Sequence, residues 1–149
     1  MNKQGFTLLE IMLVAIILGV LITLSVPNFK NTYSTLEFDN TTKNIFQLMK
    51  YAQEKAILQK CYYKFVFSER KYWIEKGISL EKFHRPSDKT GKIQIIPDKI
   101  NINPDDFSLI FAPDGNIEEQ EIIISKDNEL KYKITTKEPI GHLTCIQEK

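Results

Sequence analysis

The chain has 149 residues, which leaves room for one long helix and one compact domain of roughly 100 residues. Its 20 Lys and Arg residues balance 19 Asp and Glu residues to a net charge of +1, so no overall field attracts it to nucleic acid or to an anionic surface. The two cysteines, Cys61 and Cys145, form no Cys-x-x-Cys pair, which excludes the zinc and thioredoxin signatures.

An apolar run near the amino terminus is the strongest signal in the sequence. The 21 residues from Phe6 to Val26 contain one charged side chain, that of Glu10. As a helix that rises about 1.5 Å per residue, the run would extend roughly 30 Å, the thickness of the hydrocarbon core of a bilayer. A carboxylate in such a helix costs on the order of 2.5 to 3.5 kcal/mol. The sequence therefore predicts a membrane helix in which Glu10 has a specific role.

The start of the chain resembles the type III signal of type IV pilins and type II secretion pseudopilins. Residues 5–10 read Gly-Phe-Thr-Leu-Leu-Glu, and the apolar run and Pro27 follow them. The resemblance implies that a prepilin peptidase cleaves between Gly5 and Phe6 on the cytoplasmic side and methylates the new amino group of Phe6. Residues 1–5 are then the leader peptide. A secretory signal peptide differs, because its cleavage site follows the apolar region.

The flanking residues predict the orientation in the membrane. Residues 6–29 are assigned to the transmembrane helix, and Lys3 lies on its short side. The large folded part must follow Pro27, and long domains translocate largely regardless of their charge. We therefore expect a single-pass inner-membrane protein with a cytoplasmic amino terminus and a periplasmic carboxyl-terminal domain.

The helix is predicted to continue beyond Pro27, which would kink it, because apolar periodicity resumes on the far side. Residues 30–60 are assigned to this amphipathic continuation. Its apolar stripe consists of Ile45, Met49, Ala52 and Ala56. Residues 39–42, Asp-Asn-Thr-Thr, are poor helix formers and good caps, so the helix is expected to be weak or to restart there. A solvated turn is favoured at this point over a functional hinge.

Residues 61–149 are predicted to form an antiparallel β domain that buries the apolar stripe, so the fold class is α+β. Aromatic and β-branched runs separated by turn residues predict strands at 61–67, 71–75, 92–96, 107–112, 117–125 and 130–136, with a last short strand through Cys145 and Ile146. Residues 79–91 and 97–104 are predicted to be loops, because they are rich in charged residues, Pro, Asp and Asn.

The second half of the chain narrows the resemblance. The order of elements in this half resembles that of the GspH/FimT family, the H-type minor pseudopilins and related minor pilins. A strand leads into Phe-Ala-Pro-Asp-Gly at 111–115, and another strand and a second glycine turn at Gly141 follow. The end of the helix at 51–57 and the hairpin that contains Tyr72 and Trp73 are also similar to this family. The chain departs from it at His142, where the family often has arginine, so no basic contact is predicted there.

No catalytic or metal site is predicted. The two histidines, His84 and His142, lack ligand spacing, and no nucleophile elbow or phosphate-binding glycine loop is present. A calcium site is disfavoured because its candidate ligands follow no fixed loop pattern; they are Asp98, Asp105, Asp106 and Asp114. Aromatic residues at 62, 63, 72 and 73 are interleaved with basic ones, a pattern compatible with a stacking surface for single-stranded nucleic acid, but packing within a small sheet is favoured. Neither a cofactor nor a nucleic-acid partner is expected.

The resemblance implies a pilin-like fold and a non-enzymatic function. The expected protein is a minor pseudopilin, a structural subunit of the periplasmic pseudopilus of a type II protein secretion system. The alternative is a minor pilin of a type IV pilus that serves assembly, adhesion or DNA uptake. A bitopic inner-membrane enzyme is disfavoured, because the sequence contains no catalytic constellation. The implied partners are other pseudopilins or pilins through the amino-terminal helix, the prepilin peptidase and the inner-membrane assembly platform.

Two hypotheses concern single side chains. The family implies that Glu10 of an incoming subunit pairs with the Phe6 amine of a docked one, which relieves the cost of both charges in the bilayer. The alternative is that Glu10 extends to the cytoplasmic interface. Cys61 and Cys145 would lie close together if the first and last strands were neighbours, and an extracytoplasmic domain permits a disulfide. The sequence is equally compatible with a bonded and a free pair.

Overall fold

The computed structural model describes residues 7–126, 130–136 and 141–148, without the side chains at 24–31, 89 and 130. The chain divides into two compact units, Met1–Glu37 and Phe38–Lys149. The described part of the first unit is helical from Leu8 onward. The second unit contains the remainder of that helix and all of the described strands.

One helix, α1, extends over Leu8–Gln59. It ends because Lys60 adopts a left-handed backbone conformation with φ of 49°, and the Cys61 N–H donates to the Ala56 carbonyl at 3.2 Å. A hydrogen bond from residue i+5 back to residue i is characteristic of a Schellman motif. It satisfies a carbonyl group in the last turn of the helix. The chain then enters the first strand directly.

Strands follow α1 to the end of the described residues. In chain order they are β1 (Tyr62–Ser68), β2 (Lys71–Ser79), β3 (Lys82–His84), β4 (Gln94–Ile95), β5 (Ile100–Asn103), β6 (Phe107–Phe111), β7 (Glu121–Lys126), β8 (Leu130–Thr135) and β9 (Thr144–Glu148). A short 3-10 helix, Lys89–Gly91, precedes β4.

The strands form two antiparallel sheets, as the predicted antiparallel β domain allows. In sheet A the strand order is β3-β2-β1-β6, and β4 also pairs with β2. In sheet B the order is β5-β7-β8-β9. The β1–β2 hairpin pairs Ser68 with Lys71. Glu69 and Arg70 close it with φ values of 50° and 62°, the left-handed conformation that a two-residue hairpin turn requires.

One hydrophobic core joins α1 to both sheets. The predicted apolar stripe of α1 is buried, with all four side chains at most 1% exposed. Sheet A contributes Tyr63, Phe65, Phe67, Tyr72, Ile74, Leu109 and Phe111. Sheet B contributes Ile100, Ile102, Ile122, Ile124 and Ile134. Alternate residues of β1 and β7 therefore face the core, as the period of a strand requires.

The weak or restarted helix predicted at 39–42 is not found, because α1 is continuous there. Thr42 is 2% exposed, so this segment is not a solvated turn. The Tyr132 hydroxyl donates to Asp39 Oδ1 at 3.0 Å, and the rings of Phe38 and Tyr132 lie 5.4 Å apart. Tertiary packing against β8 thus outweighs the low helix propensity of these residues.

Two segments predicted as loops contain strands. Residues 79–91 include β3, and residues 97–104 include β5, which pairs with β7. Pro97 and Pro104 flank β5, and the Asn103–Pro104 peptide is cis. A four-residue strand bounded by prolines is too short for an alternating pattern to identify.

Candidate functional site: the exposed amino-terminal helix

Thr7 caps the start of α1. Its hydroxyl accepts a hydrogen bond from the Glu10 N–H at 3.3 Å, and its carbonyl accepts from the N–H groups of Glu10 and Ile11. Glu10 is therefore the third residue of the helix, at the spacing of a capping box. A carboxylate at this position also lies at the positive end of the helix dipole. Our sequence reasoning missed this local role, although Thr-x-x-Glu before an apolar run is its signal.

The apolar residues that follow are exposed on every face of α1. All residues from 7 to 23 are exposed, and the large apolar side chains among them retain between 49% (Val14) and 78% (Leu8) of their surface. An apolar helix without a polar face is stable only where lipid or other helices cover it. A surface of this kind marks a membrane or protein interface rather than a solvated one.

The sequence-predicted residues lie at different places relative to this surface. Gly5 and Phe6, the predicted cleavage and methylation residues, lie outside the described residues. Glu10 is exposed in the first turn of α1. Pro27 lies within α1, but its side chain is outside the described set, so the kink remains a prediction. In the part of the chain that the structure describes, no helical segment is both long and apolar enough for a membrane span.

Both cysteines are free thiols in the structure. Cys61 is buried next to β1 of sheet A, whereas Cys145 is half-buried on β9 of sheet B. The two cysteines therefore belong to different sheets, so the neighbouring strands that would bring them together are not found in the described part of the chain. Burial raises the pKa of the Cys145 thiol, which lowers its reactivity.

Three of the four carboxylates considered as calcium ligands have separate partners. Asp98 lies 3.6 Å from Arg70 Nε, Asp106 accepts a backbone N–H at 3.3 Å, and Asp114 accepts the Asn116 N–H at 3.0 Å. Among the described residues, no three His, Cys, Asp or Glu side chains come close enough to hold a metal ion.

Two of the four aromatic residues considered for nucleic-acid stacking are buried. Tyr63 and Tyr72 are 4% and 2% exposed, and burial raises the pKa of each to about 12. The Tyr72 hydroxyl donates to Gln94 Oε1 at 2.6 Å. The Trp73 indole, on the opposite face of β2, donates to Glu75 Oε1 at 2.9 Å. These interactions hold the aromatic side chains within sheet A.

The structure also brings together two glycine turns that the sequence placed far apart. Gln53 Nε2, near the end of α1, donates to the Gly141 carbonyl. Gly141 lies against the Gly115 carbonyl, and Ile57 lies next to Gly115. These turns therefore connect α1 to the segments that follow β6 and precede β9, while His142 is exposed.

Two comparisons with known proteins agree with this description. Residues 1–26 match the family model described as the prokaryotic N-terminal methylation motif. The fold is similar to that of the minor pseudopilin EpsH from the type 2 secretion system of Vibrio cholerae, with a TM-score of 0.61 and 15% sequence identity over 74% of this chain and 96% of that chain. Comparison with curated proteins finds no significant match.

The signal and the fold together define the class of protein. The chain is pilin-like, with a prepilin-type signal followed by a helix that packs on antiparallel sheets. Its α+β fold is similar to that of the minor pseudopilin EpsH. The signal indicates that the amino-terminal helix anchors the chain to a membrane.

Proposed function

We propose that this chain is a minor pseudopilin, a structural subunit rather than an enzyme, in the periplasmic pseudopilus of a type II protein secretion system. The observation that carries the proposal is the first part of α1, residues 8–23, which is apolar and exposed on every face and lies within the matched methylation motif. Such a surface requires lipid before assembly and neighbouring helices afterwards. The fold likeness to a subunit of a type 2 secretion system supports this machine over a type IV pilus.

In this proposal the prepilin peptidase removes residues 1–5 and methylates Phe6 at the cytoplasmic face of the inner membrane. The amino terminus is cytoplasmic, and the second unit is periplasmic. Pro27 kinks the helix between the membrane and the second unit. The subunit then leaves the bilayer through the inner-membrane assembly platform and packs its helix against other pseudopilins.

Glu10 sets the register of that packing. After cleavage the Phe6 amine and the Glu10 carboxylate are both in or near the bilayer, where each charge is costly unless it is paired. Pairing Glu10 of an incoming subunit with the Phe6 amine of a docked one removes both costs. A slip of one helical turn would leave both charges unpaired, so the pair selects one axial position.

Processing is tested by mass spectrometry of the chain purified from a host with the cognate peptidase. We expect loss of Met1 to Gly5 and one added methyl group on the Phe6 amine, because the resemblance of residues 5–10 to prepilin signals implies cleavage between Gly5 and Phe6. The same host without the peptidase gene is the control and should yield only the full-length chain. An intact Met1 in the assembled pool would contradict the proposal.

The role of Glu10 is tested by separating its charge from its position in the capping box. Glu10→Gln retains a side chain suited to the cap but removes the charge, Glu10→Asp retains the charge, and Glu10→Leu removes both. Thr7→Ala is the matched control, because it removes the cap, worth about 1 kcal/mol, and leaves the charge. Membrane fractionation should show that all four variants insert.

Crosslinking to partner subunits then distinguishes the two roles. We expect Glu10→Gln and Glu10→Leu to lose crosslinks, whereas Glu10→Asp and Thr7→Ala retain most of them. If Thr7→Ala loses its crosslinks while Glu10→Gln retains them, Glu10 acts through the cap and the pairing mechanism is wrong. Neighbouring genes for a secretin and other pseudopilins would favour the secretion machine, and retraction or competence genes would favour a pilus.

A further inference from the structure

The sequence contains one aspartate that is followed by glycine, at Asp114 and Gly115, and no asparagine that is followed by glycine. In such a pair the amide nitrogen of the second residue can attack the carboxyl carbon of the first, and glycine has no side chain to hinder the approach. Both residues lie in the turn of residues 112–116 after β6, which we call the Asp114 turn, and the Asp114 side chain is exposed. This pair is therefore the position in the chain where the backbone rearranges most easily through a cyclic imide.

The rearrangement needs water and no other reactant. The Gly115 nitrogen bonds to Cγ of the protonated Asp114 side chain, and the hydroxyl group leaves with the amide proton as water, which gives a succinimide ring. Water then opens the ring at Cγ, which restores aspartate, or at the main-chain carbonyl carbon, which gives isoaspartate. In isoaspartate the backbone passes through Cβ and Cγ and is one atom longer, while the mass of the chain is unchanged.

The native turn holds both reacting groups in hydrogen bonds. The Gly115 N–H donates to the Ala112 carbonyl at 3.0 Å. Asp114 Oδ1 accepts the Asn116 N–H at 3.0 Å, and Asp114 Oδ2 accepts Asn116 Nδ2 at 2.8 Å. Ring closure removes the Gly115 amide proton and expels one carboxyl oxygen, so it must break the first bond and at least one of the other two. Each broken bond adds to the barrier.

The Asp114 turn is also fixed by its surroundings. The Ala112 N–H donates to the Asn116 carbonyl at 3.0 Å, and the flanking residues form an antiparallel bridge. On the other side, the Gly115 carbonyl lies against Gly141, whose own carbonyl accepts Gln53 Nε2 of α1. Opening the turn therefore disturbs contacts that connect it to α1.

We infer that Asp114 is a site of isoaspartate formation, which the folded turn protects and the opened turn exposes. Once isoaspartate has formed, the longer backbone no longer fits the hydrogen bonds between residues 112 and 116, and the Gly115 carbonyl moves away from Gly141. The rearrangement also frees a main-chain carboxylate. This is the group to which isoaspartyl carboxyl methyltransferases transfer a methyl group from S-adenosylmethionine, so the modified chain is a substrate for that class of enzyme.

Incubation in water enriched in oxygen-18 measures ring formation at Asp114. Each ring opening leaves one heavy oxygen in a carboxyl group, whether aspartate or isoaspartate results. The full chain in detergent, folded or unfolded in guanidinium, is incubated near neutral pH and digested with trypsin in ordinary water, and fragmentation of the peptide 100–126 locates the label. We expect label at Asp114 to accumulate at least about tenfold more slowly in the folded chain.

A synthetic peptide of residues 111–117, incubated with and without guanidinium, measures the effect of the denaturant alone. Equal labelling of the folded and the unfolded chain, after this correction, would overturn the inference. This comparison uses the wild-type chain, so it does not depend on the folding of any variant.

Asn116→Ala separates the local protection from folding as a whole. It removes the side-chain bond to Asp114 and leaves the backbone bonds of the turn, so labelling of the folded chain should rise about threefold to fivefold. Asn101→Ala, on β5 within the same tryptic peptide, is the matched control and should leave the rate unchanged. The fluorescence of Trp73 shows whether both variants are folded under the labelling conditions. Equal rates in the two folded variants would show that the Asn116 side chain does not protect Asp114.

Isoaspartyl carboxyl methyltransferase with tritiated S-adenosylmethionine then measures the product. Chains that are aged in guanidinium and refolded should accept methyl groups, whereas chains aged in the folded state for the same time should accept at least about tenfold fewer. In denaturation followed by Trp73, the refolded sample should contain a less stable population in proportion to its methyl acceptance. A single transition with the wild-type midpoint in a sample rich in isoaspartate would contradict the inference, because the longer backbone would then fit the turn.

Discussion

Alanine substitution at two turn glycines should destabilise the second unit by clearly different amounts. Gly115 and Gly141 have φ values of +87° and +67°, which strain any side chain. At Gly115 an added Cβ would lie 3.6 Å from Ile57 Cδ1, an ordinary contact. At Gly141 it would collide with the Gly115 carbonyl and would also lie 3.2 Å from Ile117 Cγ1.

These environments give the expected magnitudes. Gly115→Ala has only the cost of the left-handed backbone, about 1 to 2 kcal/mol. Gly141→Ala adds overpacking against a backbone atom, about 1 to 3 kcal/mol, and disturbs the hydrogen bond from Gln53, about 1 kcal/mol. Gly19→Ala is the control, because nothing lies within 4 Å of its Cβ position and alanine favours a helix.

Guanidinium denaturation of the full chain in detergent, followed by the fluorescence of Trp73, measures these costs. Trp73 is the only tryptophan and lies on β2, so its signal reports the second unit. We expect the midpoint of Gly141→Ala to lie below that of Gly115→Ala, and Gly19→Ala to match the wild type. Equal midpoints for the two turn variants would show that Gly141 does not meet the Gly115 carbonyl.

Three further predictions follow from burial. Met49→Ala should lower the free energy of unfolding by about 2 to 5 kcal/mol in the same denaturation assay, whereas Lys50→Ala on the exposed face should change it by less than about 0.5 kcal/mol. Burial raises the pKa of Tyr72 to about 12 from an ordinary value of 10.0, so its contribution to stability is present below pH 10 and is lost as the pH rises toward 12. In unfolding measured across this pH range, Tyr72→Phe should lose less stability than the wild type. If the dependence of stability on pH is the same in both, Tyr72 is not the group responsible. Free thiols at Cys61 and Cys145 predict equal mobility on reducing and non-reducing gels, with Cys61 alkylated only after denaturation. A mobility shift on reduction would instead show the disulfide.

The sequence alone determined the features that depend on local chemistry. The signal around Gly5 and Phe6 is a short contiguous motif, so no folded context is needed to identify it. The apolar stripe of α1 and the first hairpin were also predictable, because helical periodicity and alternating strands are properties of neighbouring residues. The α+β class followed from these elements.

The tertiary structure decided what depends on distant residues. The division into two sheets assigns the strands of Cys61 and Cys145 to different sheets, because sheet membership follows from nonlocal pairing that no local pattern encodes. Packing of Phe38 and Asp39 against Tyr132 keeps α1 intact where propensity predicted a break.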